Sequence, residues 1–502
     1  MKKYVCVHGH FYQPPRENPW TGEIDEQESA KPFHDWNERI SSECYEPNTK
    51  AKILNGKDGS TQTLNNFAHI SFDMGPTLLS WLRRKQPEVY QAILQGDRES
   101  VLENDGHGNA MAQVYNHMIM PLASRRDKVT QVLWGIRDFE FHFKRRPEGM
   151  WLAEAAVDRE TLKIMAEQGI LFTVLAPHQA RRVRHVGFGQ RWHTIHHEAV
   201  DPKHAYRILL DGGRHFHLFF YDGPISRAIA FQGLLGSGDQ VVSRFMSAFG
   251  RRHDREQLVS AAIDGETFGH HHRFGEMALA YALKKFEEQH LAKVSNYAKF
   301  LSDVQSHWEA DVYENSSWSC AHGVERWRSD CGCRINHDAG WNQKWRAGLR
   351  EAFDFLKENI DRIFEKELAS LLKDPWSARN DYIVVMLDPQ KEKEKFLTRH
   401  QKKQLQAVDA QKVWNLLEAE KFSMFMYTSC GWFFDDLSGI EPVQCMKFAA
   451  RAMELVQPYS KNDLAGPFLK ILGDAKSNIP EQGSGADIFR RFAKSQGVLH
   501  GV

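Results

Sequence analysis

The sequence predicts an α/β protein: a parallel sheet or barrel over about the first two thirds of the chain, followed by a mostly helical region. Three observations carry that reading. Short apolar runs of strand length alternate with amphipathic runs of helical length, the order that builds parallel sheets. Those runs show no polar alternation, as expected of strands buried on both faces. Beyond Gly340 strands become scarce, while 345–372 and 404–427 keep helical periodicity.

In chain order, residues 3–8 (KYVCVH) read as a short buried strand, with His8 and His10 arriving where it should end. Residues 11–60 are rich in Pro, Asn and Glu with Trp20 and Trp36 embedded, a long irregular excursion of the kind that compact domains keep for function. Helical periodicity covers 76–103. It returns over 124–143, where Val129, Leu133, Ile136, Phe139 and Phe143 fall three and four apart. Residues 149–152 (GMWL) form a short strand, Glu154 follows its end, and Asp158 caps a helix that runs to Gly169. Strands follow at 170–175, 216–221 and 258–263, with Asp264 at the carboxyl end of the last and a helix at 276–289. The basic stretch 391–403 reads as a solvated helix or linker.

Composition narrows the partners. Lys+Arg and Asp+Glu are both 65, and a balanced chain does not suit nucleic acid or an anionic membrane surface. At 502 residues the chain exceeds three times a common domain of roughly 150, so two domains are expected. The 7 Cys are odd in number and thinly spread, which fits a reducing compartment better than a disulfide framework. The apolar run before His8 is too short for a signal peptide and no stretch approaches the ~20 apolar residues of a membrane span, so a cytoplasmic location is expected. The oligomeric state is left open.

Chemistry gathers at the strand ends. Glu154 and Asp264 each follow an apolar strand, beside Trp151, Phe268 and a run of His, where parallel barrels carry catalytic groups. Two carboxylates across such a mouth suit glycoside hydrolysis, one at the anomeric carbon and one protonating the leaving oxygen. Around them lie four ordered motifs: HGHFYQP from His8, GHGNAMAQVYNH from Gly106 to His117, GMWLAE ending at Glu154, and DGETFGHHH from Asp264 to His272. Together these resemble glycoside hydrolase family 57 over roughly residues 1–340. The second motif departs from the commoner acidic Gly-x-x-Glu form at His107 and Asn109.

The resemblance implies an incomplete (β/α)7 barrel at 1–335 and a helical domain at 336–502 packing on it. It implies a retaining enzyme acting on α-glucan or malto-oligosaccharide, hydrolase or glucanotransferase, with Glu154 as nucleophile, Asp264 as general acid/base and no cofactor. His8, His10 and His117 would line the sugar subsite, Trp151 would offer a flat face to a pyranose, and Glu266, His270 and Trp318 complete the expected substrate contacts. In the loop at 427–436, Trp432 either plugs an interdomain contact or stacks on a glucan chain with Asp435 or Asp436.

Two other readings stand beside it. His8, His10 and His270 to His272 with Asp264 could hold a divalent metal in a deacetylase or α-mannosidase-like enzyme, although Asp264 already has a role and the spacing is unfavourable. A non-catalytic carbohydrate-binding protein is the other. Cys320, Cys331 and Cys333 with His322 read as a structural thiol cluster, because C-x-C is less convenient for tetrahedral zinc than C-x2-C.

Overall fold

The computed structural model describes residues 2–54, 61–187, 191–250, 255–337 and 340–495. Seven strands run parallel: β1 (Lys3–Phe11), β2 (Ser71–Met74), β3 (Ala110–Gln113), β4 (Met150–Trp151), β5 (Phe172–Leu175), β6 (His215–Phe220) and β7 (Gln257–Asp264). Five make one sheet in the order β7-β1-β2-β3-β4. A single parallel bridge from Gly149 to Phe172 carries the curve to β5, which pairs in parallel with β6. Past the end of β6, the Asp222 N–H donates to the Ser260 carbonyl of β7 at 2.8 Å or less, closing the circuit with one bond. Single contacts at two seams make this the incomplete seven-stranded barrel that the motifs imply.

The strands are as apolar as their burial demands. Tyr4 to Val7 of β1 and Leu258 to Ile263 of β7 are almost wholly buried apart from the small Ser260, itself enclosed. β1 continues three residues beyond the predicted strand, so His8 and His10 lie within it, on the same face by the period of two. Helices follow the predicted order. The segment 76–103 breaks into Pro76–Lys85 and Pro87–Glu103, since Pro87 supplies no amide and disfavours helix before it. Helix Arg159–Glu167 starts as expected, with Asp158 accepting the Thr161 N–H at 2.8 Å.

Two features were not foreseen. β6 also pairs antiparallel with Ala205–Leu209, from which the sheet continues through Trp308–Val312, Ala180–His185 and His193–Thr194. The excursion after β1 is not irregular throughout, for it holds helices Trp36–Ile40 and Glu46–Thr49 and strand Ala51–Leu54.

By internal contact the chain forms two compact units. One comprises residues 1–13, 26–113 and 139–314, the other 14–25, 114–138 and 315–502, whereas the sequence placed a border at 335/336. The first unit holds the barrel. The second is built on helices Trp345–Leu368, Ala407–Phe425 and Ile440–Val456, whose Leu349, Phe353, Leu356, Ile360 and Phe364 are fully buried at helical spacing. Inside it the Arg379 guanidinium reaches Asp127 and Glu420, each at 2.8 Å, so its buried charge is paired. The stretch 391–403 lies mainly in helix Pro389–His400, exposed except at Phe396 and His400, as a solvated helix would be. Among the described residues no helix is long and apolar enough to cross a membrane.

Candidate active site

The register of the parallel strands sets the site. On β1, His10 stands opposite Asp73 of β2 on one side and Asp264 of β7 on the other. Asp73 is fully buried, and its two carboxylate oxygens reach His8 Nε2 at 3.1 Å and His10 Nδ1 at 2.8 Å. Burial alone would raise Asp73, but the two imidazoles outweigh it and hold the carboxyl below its usual range. The two histidines divide in protonation. Burial pushes His8 down, so it is neutral, with Nε2–H donated to Asp73 and Nδ1 3.0 Å from the Ser71 hydroxyl. Burial also opposes a charge on His10, yet Asp73, helped by Asp264 and Glu266, overcomes it and pushes His10 up to about 9. His10 is therefore a cation at neutral pH.

Below these rings lies Trp151, stacked on His8 at 4.8 Å and on His10 at 5.1 Å between centroids. It is 0% exposed, so it supports the imidazoles and has no face left for a sugar, contrary to the sequence expectation. His8, equally enclosed and with both nitrogens near polar partners, is likewise a support and no sugar ligand.

Glu154 follows β4 in a left-handed conformation, φ 56° and ψ 24°, and Ala155 repeats it at φ 48°. Two consecutive non-glycine residues there store on the order of 1–3 kcal/mol each, a strain typical of positions that the surrounding structure holds for function. The Ala155 N–H bonds to the Leu152 carbonyl at 2.8 Å and fixes the turn.

Asp264 terminates β7 and is the one residue of that strand open to solvent. Protein nevertheless surrounds the carboxyl closely enough that desolvation is the largest influence on it. His10 pulls it down, Glu154 and Asp73 push it up, and it settles at about 6. The repulsion from Glu154 shows that the structure brings the two predicted carboxylates into one electrostatic site. Glu266, one short turn on, is pushed up to about 7 by burial, against the hydrogen bond from Tyr45 and with the repulsion of Asp264. Its Oε1 accepts from the Tyr45 hydroxyl at 2.6 Å and the Tyr12 N–H at 3.0 Å.

The remaining predicted residues fall elsewhere. His270 pairs with Glu43 and meets Trp36 edge-on at 6.0 Å, with the ring partly exposed. His272 Nε2 donates to the Ala230 carbonyl at 2.9 Å. His117 lies in the second unit at φ 57°, 1% exposed, with Nδ1 2.6 Å from the Ser429 hydroxyl. Trp318 is half-buried in the same unit. Trp432 is a correction: it is 0% exposed, donates its indole N–H to the Arg346 carbonyl at 3.1 Å and packs on Phe353, so no glucan can stack on it. Asp435 and Asp436 are occupied by backbone amides of Ile335, Asn336, Ser438 and Asn478. Replacing Trp432 by Ala should therefore cost about 3–5 kcal/mol of stability in a denaturant titration. Glucan KM of the variant that remains folded should be unchanged.

The metal reading finds no support at the barrel. His8 and His10 are engaged by Asp73, His270 pairs with Glu43 and His272 with the Ala230 carbonyl, and among the described residues no group of metal-ligating side chains gathers there. The sequence reading missed Asp73, Ser71 and Tyr45. Asp73 and Ser71 carry one signal, polar residues at alternate positions between Ile70, Phe72 and Met74, the mark of a strand with one polar face. Asp73→Asn should leave the His10 cation without its counter-charge, lowering stability by about 3–5 kcal/mol as read by thermal or denaturant unfolding.

Comparison with known proteins places this arrangement. Residues 341–500 match a domain of unknown function, DUF3536. A curated relative, alpha-amylase 1 of Dictyoglomus thermophilum, is 28% identical over 98 residues, and that match spans 20% of this chain and 13% of the amylase. An exo-type maltose-forming amylase from Pyrococcus sp. ST04 superposes with a TM-score of 0.73 at 15% identity, over 94% of this chain and 83% of the amylase. A branching enzyme from Thermococcus kodakaraensis gives a TM-score of 0.55 at 14% identity, over 100% of this chain and 96% of that one. These similarities establish a shared fold. Residues 5–312, more than half of the chain and nearly all of the parallel barrel with its carboxylates, match glycosyl hydrolase family 57, and the chain belongs to that family.

Proposed function

We propose that the protein cleaves or transfers α-glucosidic linkages of an α-glucan or malto-oligosaccharide by double displacement with retention. The observation that carries this is the pair Glu154 and Asp264, coupled by charge at the carboxyl end of the barrel strands, the first in a strained fixed turn and the second held to about 6 and open to solvent. Proteins of similar fold include an exo-type maltose-forming amylase, a 4-alpha-glucanotransferase and a branching enzyme.

In the first step Glu154 attacks the anomeric carbon as the glycosidic bond breaks, and Asp264 delivers its proton to the leaving oxygen. The His10 cation, opposite Asp264 in register, lowers the cost of the negative charge that Asp264 then takes up. In the second step Asp264 removes a proton from water or from a sugar hydroxyl, which attacks the glycosyl-enzyme and frees Glu154. Which acceptor enters decides between hydrolase and transferase. His270, partly accessible in the first unit, is the expected residue there that remains available to touch sugar. The seven cysteines form no disulfide among the described residues, which suits a reducing, cytoplasmic setting.

Incubation with maltoheptaose and with amylose, followed by separation of products by length and branch content, tests the proposal. Shorter products mark a hydrolase, and longer or branched ones a transferase. Both glucans surviving untouched would defeat the α-glucan assignment.

A further inference from the structure

We propose that Cys320, His322, Cys331 and Cys333 form a mononuclear structural zinc site in the second unit, separate from the glucan chemistry. The four side chains offer three sulfurs and one imidazole nitrogen, all within 4.8 Å of one another. Three of the six separations are those of a tetrahedron around one ion. Zn–S bonds of about 2.3 Å place two sulfurs ~3.8 Å apart at tetrahedral angles, and a Zn–N bond of about 2.05 Å places nitrogen and sulfur ~3.6 Å apart. Cys320 Sγ lies 3.9 Å from Cys331 Sγ and 3.8 Å from Cys333 Sγ, and Cys333 Sγ lies 3.7 Å from His322 Nδ1. A disulfide needs about 2.05 Å, and three cysteines cannot pair without remainder. A binuclear iron–sulfur cluster shares its four ligands between two irons, which spreads them farther than this group allows.

The sequence spacing that argued against zinc works once the chain is folded. Two short arms, Cys320-x-His322 and Cys331-x-Cys333, each supply two ligands, and the second turns back on itself because Gly332 adopts φ 82°.

An independent observation concerns charge. Arg346 is fully buried and donates to the carbonyls of Cys333 and Phe434, while Arg326, 5% exposed, donates to those of Ser319 and Phe433. Carbonyls accept from these guanidiniums without neutralising them, the Arg346 Nε–H has no hydrogen-bond partner, and Asp435 is the carboxylate whose charge acts on Arg346. Three thiolates and a neutral imidazole around Zn(II) carry a net charge of −1, which supplies a counter-charge beside them. On binding, Zn(II) replaces the three thiol protons, which leave to solvent, and no oxidation is involved. The ion would then tie the segment from Cys320 to Cys333 to helix Trp345–Leu368 through Arg346.

The full-length protein, free of any polyhistidine tag and purified with reductant but without chelator, should contain one zinc per chain by plasma mass spectrometry. The Cys320→Ser/Cys331→Ser variant should lose at least tenfold of it. If that variant does not fold, wild-type protein stripped of metal and refilled with Co(II) provides the second reading, since four-coordinate cobalt with thiolate ligands shows intense visible and near-ultraviolet bands. Wild-type protein without stoichiometric metal, iron in place of zinc, zinc retained in the double variant, or a six-coordinate cobalt spectrum would each overturn the proposal.

Discussion

Replacing Glu154 by Gln is expected to lower turnover on maltoheptaose by roughly four orders of magnitude or more, the scale on which loss of a covalent nucleophile acts. The amide matches the carboxylate in size, so the left-handed turn at Glu154 and Ala155 and the packing of Trp151 beneath His8 and His10 should persist. Glucan binding should therefore survive within a few-fold by calorimetry, which separates an enzyme from a non-catalytic binding protein. A shorter variant, Glu154→Gly, makes the chemistry explicit. Azide can enter the space vacated by the carboxylate and attack an activated α-glucoside from the nucleophile's face, giving the β-glucosyl azide. Wild-type turnover in Glu154→Gln would remove Glu154 from the mechanism, and azide products of α configuration would assign it to the other carboxylate.

Much of this site was legible because a parallel barrel writes its chemistry in a recognisable way. An apolar run that stops at an acidic residue, as GMWLAE stops at Glu154 and LVSAAID at Asp264, reports both a strand buried on two faces and a polar group at its end. His8 and His10 were visible by the same logic. Asp73 was not, since its strand has four residues and leads directly into the helix at Pro76, so the helical signal covered it. Tyr45 could not be found from sequence at all, because its contact with Glu266 spans 221 positions and depends on the closed barrel. Aromatic residues misled for a physical reason. An indole is equally suited to a sugar face and to a core, and Trp151 and Trp432 were both needed inside. For the cysteines, spacing along the chain spoke for a thiol cluster, whereas the distances across two arms carry the proposal of a metal site.

Asp264→Asn is expected to lower kcat by about 10²- to 10⁴-fold on unactivated glucans, the range of a lost general acid. Its pH signature follows from the direction of its shift. The acid works protonated, so wild-type kcat/KM should fall as pH rises through about 6, and the limb should vanish in the variant. Glu266, pushed up to about 7 by burial and by the charge of Asp264, titrates nearby, so the observed limb is assigned only once one member of the pair is removed. Geometry distinguishes them. Glu266 is held by Tyr45 and Tyr12 and buried, while Asp264 alone opens to solvent where a glycosidic oxygen can reach it. Glu266→Gln should thus keep the limb near 6, because Glu266, the later of the two to ionise, is still protonated while Asp264 titrates. An aryl α-maltoside whose leaving group departs without a proton should restore the first step in Asp264→Asn and leave Glu266→Gln unimproved. Azide should then intercept the maltosyl-enzyme of Asp264→Asn from the acceptor side and yield the α-maltosyl azide, opposite in anomeric configuration to the Glu154→Gly product. Restoration by the aryl maltoside in Glu266→Gln alone would transfer the acid to Glu266, which would then have to part from Tyr45 during each turnover.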